Sequence, residues 1–309
     1  MRTVFVNLKR WEVPRSLGGV CPDPNPATWI QDVIAQSIVL GLGNLKEIDL
    51  VYLCPEGLVN QAYQELEKYP FSTRPHLAVG VQGVFWEDIA PGKNFGAFTS
   101  RLPATAASHL GASWAIIGHS EERKALQQVI QIYDPMVATN SDLRRKIGRS
   151  VDTIINAEVN MAINAGLHVL ICVGETADER GAGSFEEQQP RIEAVLSAQV
   201  AGGLQGITEI KKDHKVIIGY EPVWAIGPGK TPPDKDYIAY GARVIKNKTR
   251  QEYGMDISVV YGGGLKEENA GMIARIEAVD GALVGLTRFS GEIGFSVPEL
   301  RQIIKKYMA

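Results

Sequence analysis

The sequence predicts an α/β chain closed into a single (β/α)8 barrel domain over residues 1–309, and three observations carry that reading. Eight short apolar, β-branched runs recur along the chain, and amphipathic stretches lie between and after them. Most of the runs lack period-two alternation, as strands buried on both faces do. No linker, low-complexity tract or charge block divides the 309 residues, a length that such barrels commonly fill as one domain. An open, doubly wound sheet is the competing architecture, because counting elements does not show closure.

In order, the strands are expected at residues 3–6, 48–54, 76–81, 114–117, 168–173, 215–219, 258–261 and 281–284. The first reads Thr3-Val4-Phe5-Val6 and the fourth Trp114-Ala115-Ile116-Ile117, both apolar throughout apart from Thr3. Helices are expected at 26–39, 57–68, 151–165, 184–200, 236–252, 266–276 and 297–307, where polar and apolar residues share the segment in helical spacing. Two stretches read as enlarged loops. Residues 14–26 hold four prolines and the pair Gly18-Gly19. Residues 126–149 hold Asp134-Pro135 and the cluster Arg144-Arg145-Lys146, which reads as a solvated helix face, with an anion or partner site as the alternative.

Composition narrows the function. Apolar residues are 45% and charged residues 22%, which excludes a disordered chain. The net charge of −3, from 32 basic and 35 acidic residues, gives no electrostatic case for nucleic acid or an anionic membrane. No apolar run approaches the roughly 18 residues of a membrane span. The opening Met1-Arg2-Thr3-Val4-Phe5-Val6-Asn7-Leu8-Lys9 is broken by charge too early for a signal peptide. Cys21, Cys54 and Cys172 form no CxxC pair, so a reducing cytoplasm is expected. The five histidines show no ligand spacing, so neither a metal nor another cofactor is implied.

In a (β/α)8 barrel, chemistry gathers past the C-terminal ends of the strands. There the chain places Asn7 and Lys9 after the first run, His119, Ser120 and Glu121 after the fourth, and Glu221 after the sixth. Gly262-Gly263-Gly264 follow the seventh, and Gly285 and Thr287 the eighth. A carboxylate, an imidazole and an ammonium on one face can move a proton beside a carbonyl. Each has a plainer reading: Glu221 as a solvated strand end, His119 as a core histidine, Lys9 as a surface lysine. Against these, Glu221 is followed by an apolar, glycine-bearing segment between Pro222 and Pro232, which suits a lid that excludes water. Its Gly229-Lys230-Thr231 is not a P-loop, since that motif requires glycine where Trp224 stands. Ser120, Glu121 and Glu122 look like a helix start, and a histidine at that pole is disfavoured as imidazolium.

With these residues in place the chain resembles the triosephosphate isomerase family over nearly its whole length. The likeness rests on Gly118-His119-Ser120-Glu121, Cys172-Val173-Gly174-Glu175-Thr176, Tyr220-Glu221-Pro222-Val223-Trp224-Ala225-Ile226-Gly227, Tyr261-Gly262-Gly263 and Asp280-Gly281-Ala282-Leu283-Val284-Gly285, with Gly96-Ala97-Phe98-Thr99 weaker. It implies a TIM barrel in which Glu221 is the general base, His119 the electrophile, Lys9 the cation that anchors substrate and Asn7 the residue that positions Lys9. The pairing of a glutamate base with a neutral histidine is a known pattern of that family and comes with the resemblance, since spacing alone does not imply it. Glu121 would link to the lysine, Cys172 would pack near the base, Tyr261 would support the site, and Thr99 would support the site of a neighbouring subunit. Backbone at Gly227, Gly264, Gly285 and Leu286 would hold phosphate.

The departures cluster. Leu8 stands between Asn7 and Lys9 where the family has tryptophan. Gly264 replaces a serine, Leu286 replaces a glycine, and Pro228 stands in the lid. Arg288 offers a compensating charge for phosphate. The proton chemistry is therefore expected to be kept and the hold on substrate altered. Arg101 and Glu122 exchange the signs of a family ion pair, which predicts a reversed Arg101–Glu122 pair. Residues 82–101 match a loop that inserts into a second subunit, which implies a homodimer. The function implied is cofactor-independent aldose–ketose isomerisation of a small phosphosugar, with glyceraldehyde 3-phosphate and dihydroxyacetone phosphate as the default pair. A four-carbon phosphosugar such as L-erythrulose 1-phosphate is the first alternative, and a low-activity paralogue with a binding role the second.

Overall fold

A computed structural model describes residues 1–207, 214–227, 229–289 and 291–309. Its strands are β1 (Arg2–Asn7), β2 (Ile48–Cys54), β3 (Leu77–Val81), β4 (Trp114–Ile117), β5 (His168–Val173), β6 (Val216–Tyr220), β7 (Ser258–Tyr261) and β8 (Gly281–Val284). All are parallel, and they form a closed barrel in sequence order. The seam is the pairing of β1 with β8, from Thr3↔Gly281 to Val6↔Val284. This closure excludes the open sheet.

The helices are α1 (Pro26–Val39), α2 (Val59–Glu67), α3 (Ala104–His109), α4 (Ser120–Tyr133), α5 (Ser141–Asn164), α6 (Ala177–Arg180), α7 (Phe185–Gly203), α8 (Lys235–Tyr253), α9 (Glu267–Ala274) and α10 (Val297–Met308). Their ends follow local chemistry. Asn25 caps α1 by accepting the Ala27 N–H ahead of a first-turn proline. Ser184 and Glu187 form a capping box on α7. Gly254 ends α8 at φ 63°.

Strand residues divide into two buried sets. Phe5, Leu53, Trp114, Ile116, Leu170, Cys172, Ile217, Val260 and Leu283 touch one another and no helix core, so they fill the barrel. Their neighbours, such as Val4, Val6, Leu50 and Tyr52, belong to the larger cluster shared with the helices. Strands buried on both sides need no polar alternation, which is why the runs are legible as strands.

The segment 126–149 departs from expectation. It is no enlarged loop but the rest of α4, a 3-10 turn at Pro135–Ala138, and the first turns of α5, which begins at Ser141 and not at 151. Asp134-Pro135 makes a corner without ending helical structure. The Asp134 carboxylate accepts the Met136 N–H, and Asn140 accepts those of Asp142 and Leu143, so the helix restarts at once. Residues 14–26 do remain irregular ahead of α1. Arg15 there ion-pairs with Glu292 of the loop after β8 at 2.9 Å, stitching the two loops across the seam.

Candidate active site

Parallel strands in register bring their C-terminal ends to one rim, and the expected polar residues converge there. At the end of β1, Asn7 is buried and its Oδ1 accepts the Lys9 N–H at 2.9 Å. Leu8 between them is fully buried, so the extra residue type serves the core while Asn7 and Lys9 share a side. Lys9 has φ 46°, in the left-handed region that a lysine enters only when its surroundings force it. The forcing group is Gln82, beyond β3, whose amide donates to Asn7 Oδ1, Lys9 O and Leu53 O at 3.2, 2.8 and 3.1 Å. The Lys9 ammonium reaches Glu121 Oε1 at 2.8 Å. Burial pushes the Glu121 carboxyl up, but Lys9 outweighs it and holds the group below the ordinary carboxylate range.

His119 is the N-cap of α4. Its Nδ1 accepts the Glu121 N–H at 3.3 Å, which assigns the ring proton to Nε2. Nε2 lies 3.1 Å from Glu221 Oε1, while Glu221 Oε2 accepts the Ser120 N–H at 3.0 Å. Burial alone would lower the histidine, yet the Glu221 carboxylate raises it and prevails. The helix pole disfavours imidazolium, so the direction expected from the pole alone is reversed as long as the two side chains touch.

Glu221 is 2% exposed, and two glycines make room for it. A Cβ on Gly174 would lie 1.7 Å from the Glu221 carbonyl oxygen, and one on Gly262 would lie 2.7 Å from its Cγ. Cys172 lies below. Burial drives its thiol well up, with the Glu221 charge adding to the shift, so it is an inert packing group.

Arg123 braces this corner from behind. The buried guanidinium donates to Gly118 O at 2.8 Å, to Cys172 O at 3.1 Å and to Asp152 at 2.6 Å, tying the ends of β4 and β5 together. Arg123→Gln is expected to cost about 3–5 kcal/mol in chemical denaturation, because it leaves Asp152 buried without its partner. Adding Asp152→Asn should restore part of that loss. A single variant as stable as the parent would show that the pair does not brace the site.

The expected Arg101–Glu122 pair does not form among the described residues. Glu122 accepts the Gly118 N–H at 2.6 Å and lies beside Glu158, whose carboxyl is pushed up to about 9 by burial and by its acidic neighbour. Arg101 lies exposed, 5.7 Å from the Trp86 ring centre. Glu122 lies instead on the inner side of α4, where Glu158 shares its burial.

Glu175, after β5, is a further residue that spacing does not single out. It is fully buried. Its Oε1 accepts from Trp224 Nε1, Tyr237 OH and Tyr220 OH at 2.9, 2.7 and 3.3 Å, while Oε2 has no partner among the described residues. The Val223 N–H donates to its carbonyl at 3.1 Å, and the Arg180 guanidinium lies 3.9 Å from the Trp224 ring centre. The segment after Glu221 is thus pinned at its start, whereas Gly227 is exposed at φ 120°. Pro228 lies outside the described residues. Gln82 and Glu175 follow the third and fifth strands, so their place past a strand end is the one signal in the sequence that points to them.

The other expected residues sit at the ends of β7 and β8 or on a loop. Tyr261 is buried with its hydroxyl unpartnered among the described residues. Gly264 has φ 90°, a conformation that a serine would occupy only under strain, and this accounts for the glycine. Gly285 and Leu286 are half-buried at the rim. Arg288 is committed: its Nε and a terminal nitrogen donate to Glu299 Oε1 at 2.8 and 2.6 Å. Thr99 is exposed in the loop between β3 and α3, outside the hydrogen-bonded network around Glu221. Among the described residues no three His, Cys, Asp or Glu side chains are grouped to hold a metal, and no helix is long and apolar enough to cross a membrane.

The comparisons with known proteins agree with this geometry. A family model described as triosephosphate isomerase matches residues 35–296. The triosephosphate isomerase of Chlorobium phaeovibrioides is 34% identical over 194 residues, 62% of this chain and 64% of that relative, so the match spans just under two thirds of its length. That of Alkaliphilus metalliredigens is 31% identical over 243 residues, 77% of this chain and 81% of the relative. The crystal structure of triosephosphate isomerase from Bartonella henselae matches with a TM-score of 0.65 at 25% identity, covering 100% of this chain and 99% of that one.

Proposed function

The chain belongs to the triosephosphate isomerase family, and from that premise we propose that it interconverts the aldose and ketose forms of a small phosphosugar without a cofactor, glyceraldehyde 3-phosphate and dihydroxyacetone phosphate being the default pair. The supporting observation is the 3.1 Å approach of His119 Nε2 to Glu221 Oε1, with the Lys9 ammonium held on the same rim through Glu121.

A substrate entering between imidazole and carboxylate replaces each as the other's partner. Glu221 takes a proton from the carbon beside the carbonyl, and the electron pair moves onto the carbonyl oxygen to give an enediolate. His119 Nε2–H and the Lys9 ammonium stabilise that oxygen. The hydroxyl proton of the enediolate passes to the former carbonyl oxygen, and the same carboxyl returns its proton to the neighbouring carbon as the new carbonyl forms. Once substrate separates the pair, the influence that raised His119 is gone. Burial and the helix pole then favour the neutral ring, which donates a hydrogen bond without surrendering its proton. Asn7 and Gln82 fix the backbone from which Lys9 projects. Backbone amides near Gly227, Gly264, Gly285 and Leu286 receive the phosphate, and Glu299 already balances the charge of Arg288.

That rebuilt end supports a second reading, a four-carbon phosphosugar such as L-erythrulose 1-phosphate, because Leu286 and a committed Arg288 alter the hold on the phosphate and leave the proton machinery alone. A chain kept for binding alone would not need Asn7, Lys9, His119 and Glu221 together. The test compares kcat/KM on triose and tetrose phosphates and follows exchange of substrate C–H protons with solvent. Preference for the triose supports the first reading and preference for the tetrose the second. Exchange with neither removes the isomerase. The exposed Ile89 and Phe95 on the loop between β3 and α3 support a homodimer assembled through that loop.

A further inference from the structure

The cation that the loop after β8 offers to a phosphate is already spent. Arg288 is the one basic residue from Gly285 to Ser296, and its guanidinium is held by Glu299 at 2.8 and 2.6 Å. Lys266, on the neighbouring loop, is not held in this way. It follows Gly264-Leu265 after β7, and its side chain runs across to the loop after β8, where Nζ stands 4.2 Å from the centre of the Phe289 ring. Among the described residues it forms no ion pair, unlike Lys9, Lys215 and Lys246. Its backbone is fixed. The Lys266 N–H donates to Asn269 Oδ1 at 2.8 Å, and Asn269 Nδ2 donates to Gly264 O at 3.0 Å. One asparagine therefore sets both the glycine turn and the root of the lysine, and Leu265 between them is fully buried.

We propose that Lys266 is the cation that grips the substrate's phosphate, a role that Glu299 keeps from Arg288. The ammonium rests over Phe289 while the site is empty and turns onto the phosphate when a phosphosugar binds. An aromatic face holds an exposed ammonium weakly, whereas a phosphate accepts charge-assisted hydrogen bonds from it, so binding favours the move. The flexible four-carbon stem lets the ammonium turn while the loop stays in place. Local structure does not ask for lysine here. Lys266 is the N-cap of α9, where Ser, Thr, Asp or Asn serves a helix better and where a cation meets the positive pole. That pole is no phosphate site in itself, because Glu267 and Glu268 fill the first turn. Room lies at the strand ends instead. A Cβ on Gly264 would meet nothing within 4 Å, and one on Gly285 would meet only Trp11, at 3.8 Å. The inference rests on the isomerase reading for the sugar that carries the phosphate.

The experiment measures binding of inorganic phosphate by calorimetry at fixed ionic strength, and steady-state kinetics on triose and tetrose phosphates. Lys266→Met removes the charge and keeps an apolar stem against Phe289. Lys266→Arg keeps the charge, and Lys305→Met removes an exposed charge from α10 as a control. For Lys266→Met, phosphate binding is expected to weaken about tenfold or more, as loss of a hydrogen bond from a charged group does. KM should rise by a similar factor, with a smaller effect on kcat. Lys266→Arg should restore most of the binding, and Lys305→Met should match the parent. A merely structural lysine would move the melting temperature and leave phosphate binding alone. Undiminished phosphate binding in Lys266→Met, a parent that binds no phosphate, or an equal loss in Lys305→Met overturns the proposal. Phosphate binding is read without turnover. A parent that isomerises neither sugar yet loses phosphate with Lys266→Met therefore removes the isomerase and keeps the grip.

Discussion

Glu221→Asp is expected to lower kcat by about a hundredfold or more with little change in KM, because a displacement near 1 Å at the reacting atoms can have that effect. The shorter side chain retracts the carboxylate by one methylene, and the backbone cannot follow. The Glu221 N–H donates to Val173 O at 2.8 Å, and Gly174 leaves no slack behind the peptide. Ser120 N–H and His119 Nε2 stay where α4 holds them, so binding contacts survive while the transfer distance lengthens. Steady-state kinetics combined with solvent-proton exchange separates the two effects. Unchanged turnover would remove Glu221 from the role of base.

Gly174→Ala is the second large effect, and it acts on folding and chemistry together. An added methyl would meet backbone, 1.7 Å from the Glu221 carbonyl oxygen, and no flexible side chain can yield in its place. Overpacking of this kind costs about 3 kcal/mol or more. The melting temperature should fall by about 5 °C or more for a chain of this length, and turnover should fall with it as Glu221 is displaced. Gly57→Ala is the matched control, since an added Cβ there meets nothing within 4 Å. Equal melting temperatures for the two variants would show that the barrel absorbs the clash.

The strands and most helices can be read from the chain because burial on both faces leaves an unmistakable pattern. β2, β4, β5, β7 and β8 start and end where the apolar runs do. Closure cannot be read, since it depends on Thr3 meeting Gly281 across the whole sequence. Residues 126–149 read wrongly as a loop because Asp134-Pro135 resembles a break, and whether such a corner ends a helix depends on the cap that follows, here Asn140. At the site, the residues past strand ends include Asn7, Lys9, His119 and Glu221, which the fold does gather on one rim. Arg123 escapes such a reading, and Gln82 and Glu175 lie past strand ends with nothing further to single them out. Arg123 and Gln82 act largely on backbone carbonyls of other strands, and Glu175 on side chains that meet only after folding, so no local spacing reports them. The Arg101–Glu122 expectation fails for a related reason. Two signs exchanged together look compensatory on paper, but the depth of α4 decides where each side chain goes.

Lys9 stands in a backbone conformation that glycine adopts freely, and among the described residues only Phe95 shares that state without being a glycine. A barrel under no demand beyond folding would form more easily with glycine at this position, so random change has an open downhill exit there. Occupation by lysine instead means that the chain tolerates a standing handicap in its own assembly to keep one positive charge at the mouth of the barrel. Such a handicap is what the proposed role of Lys9 in a working centre would require, and a vestige would have no use for it.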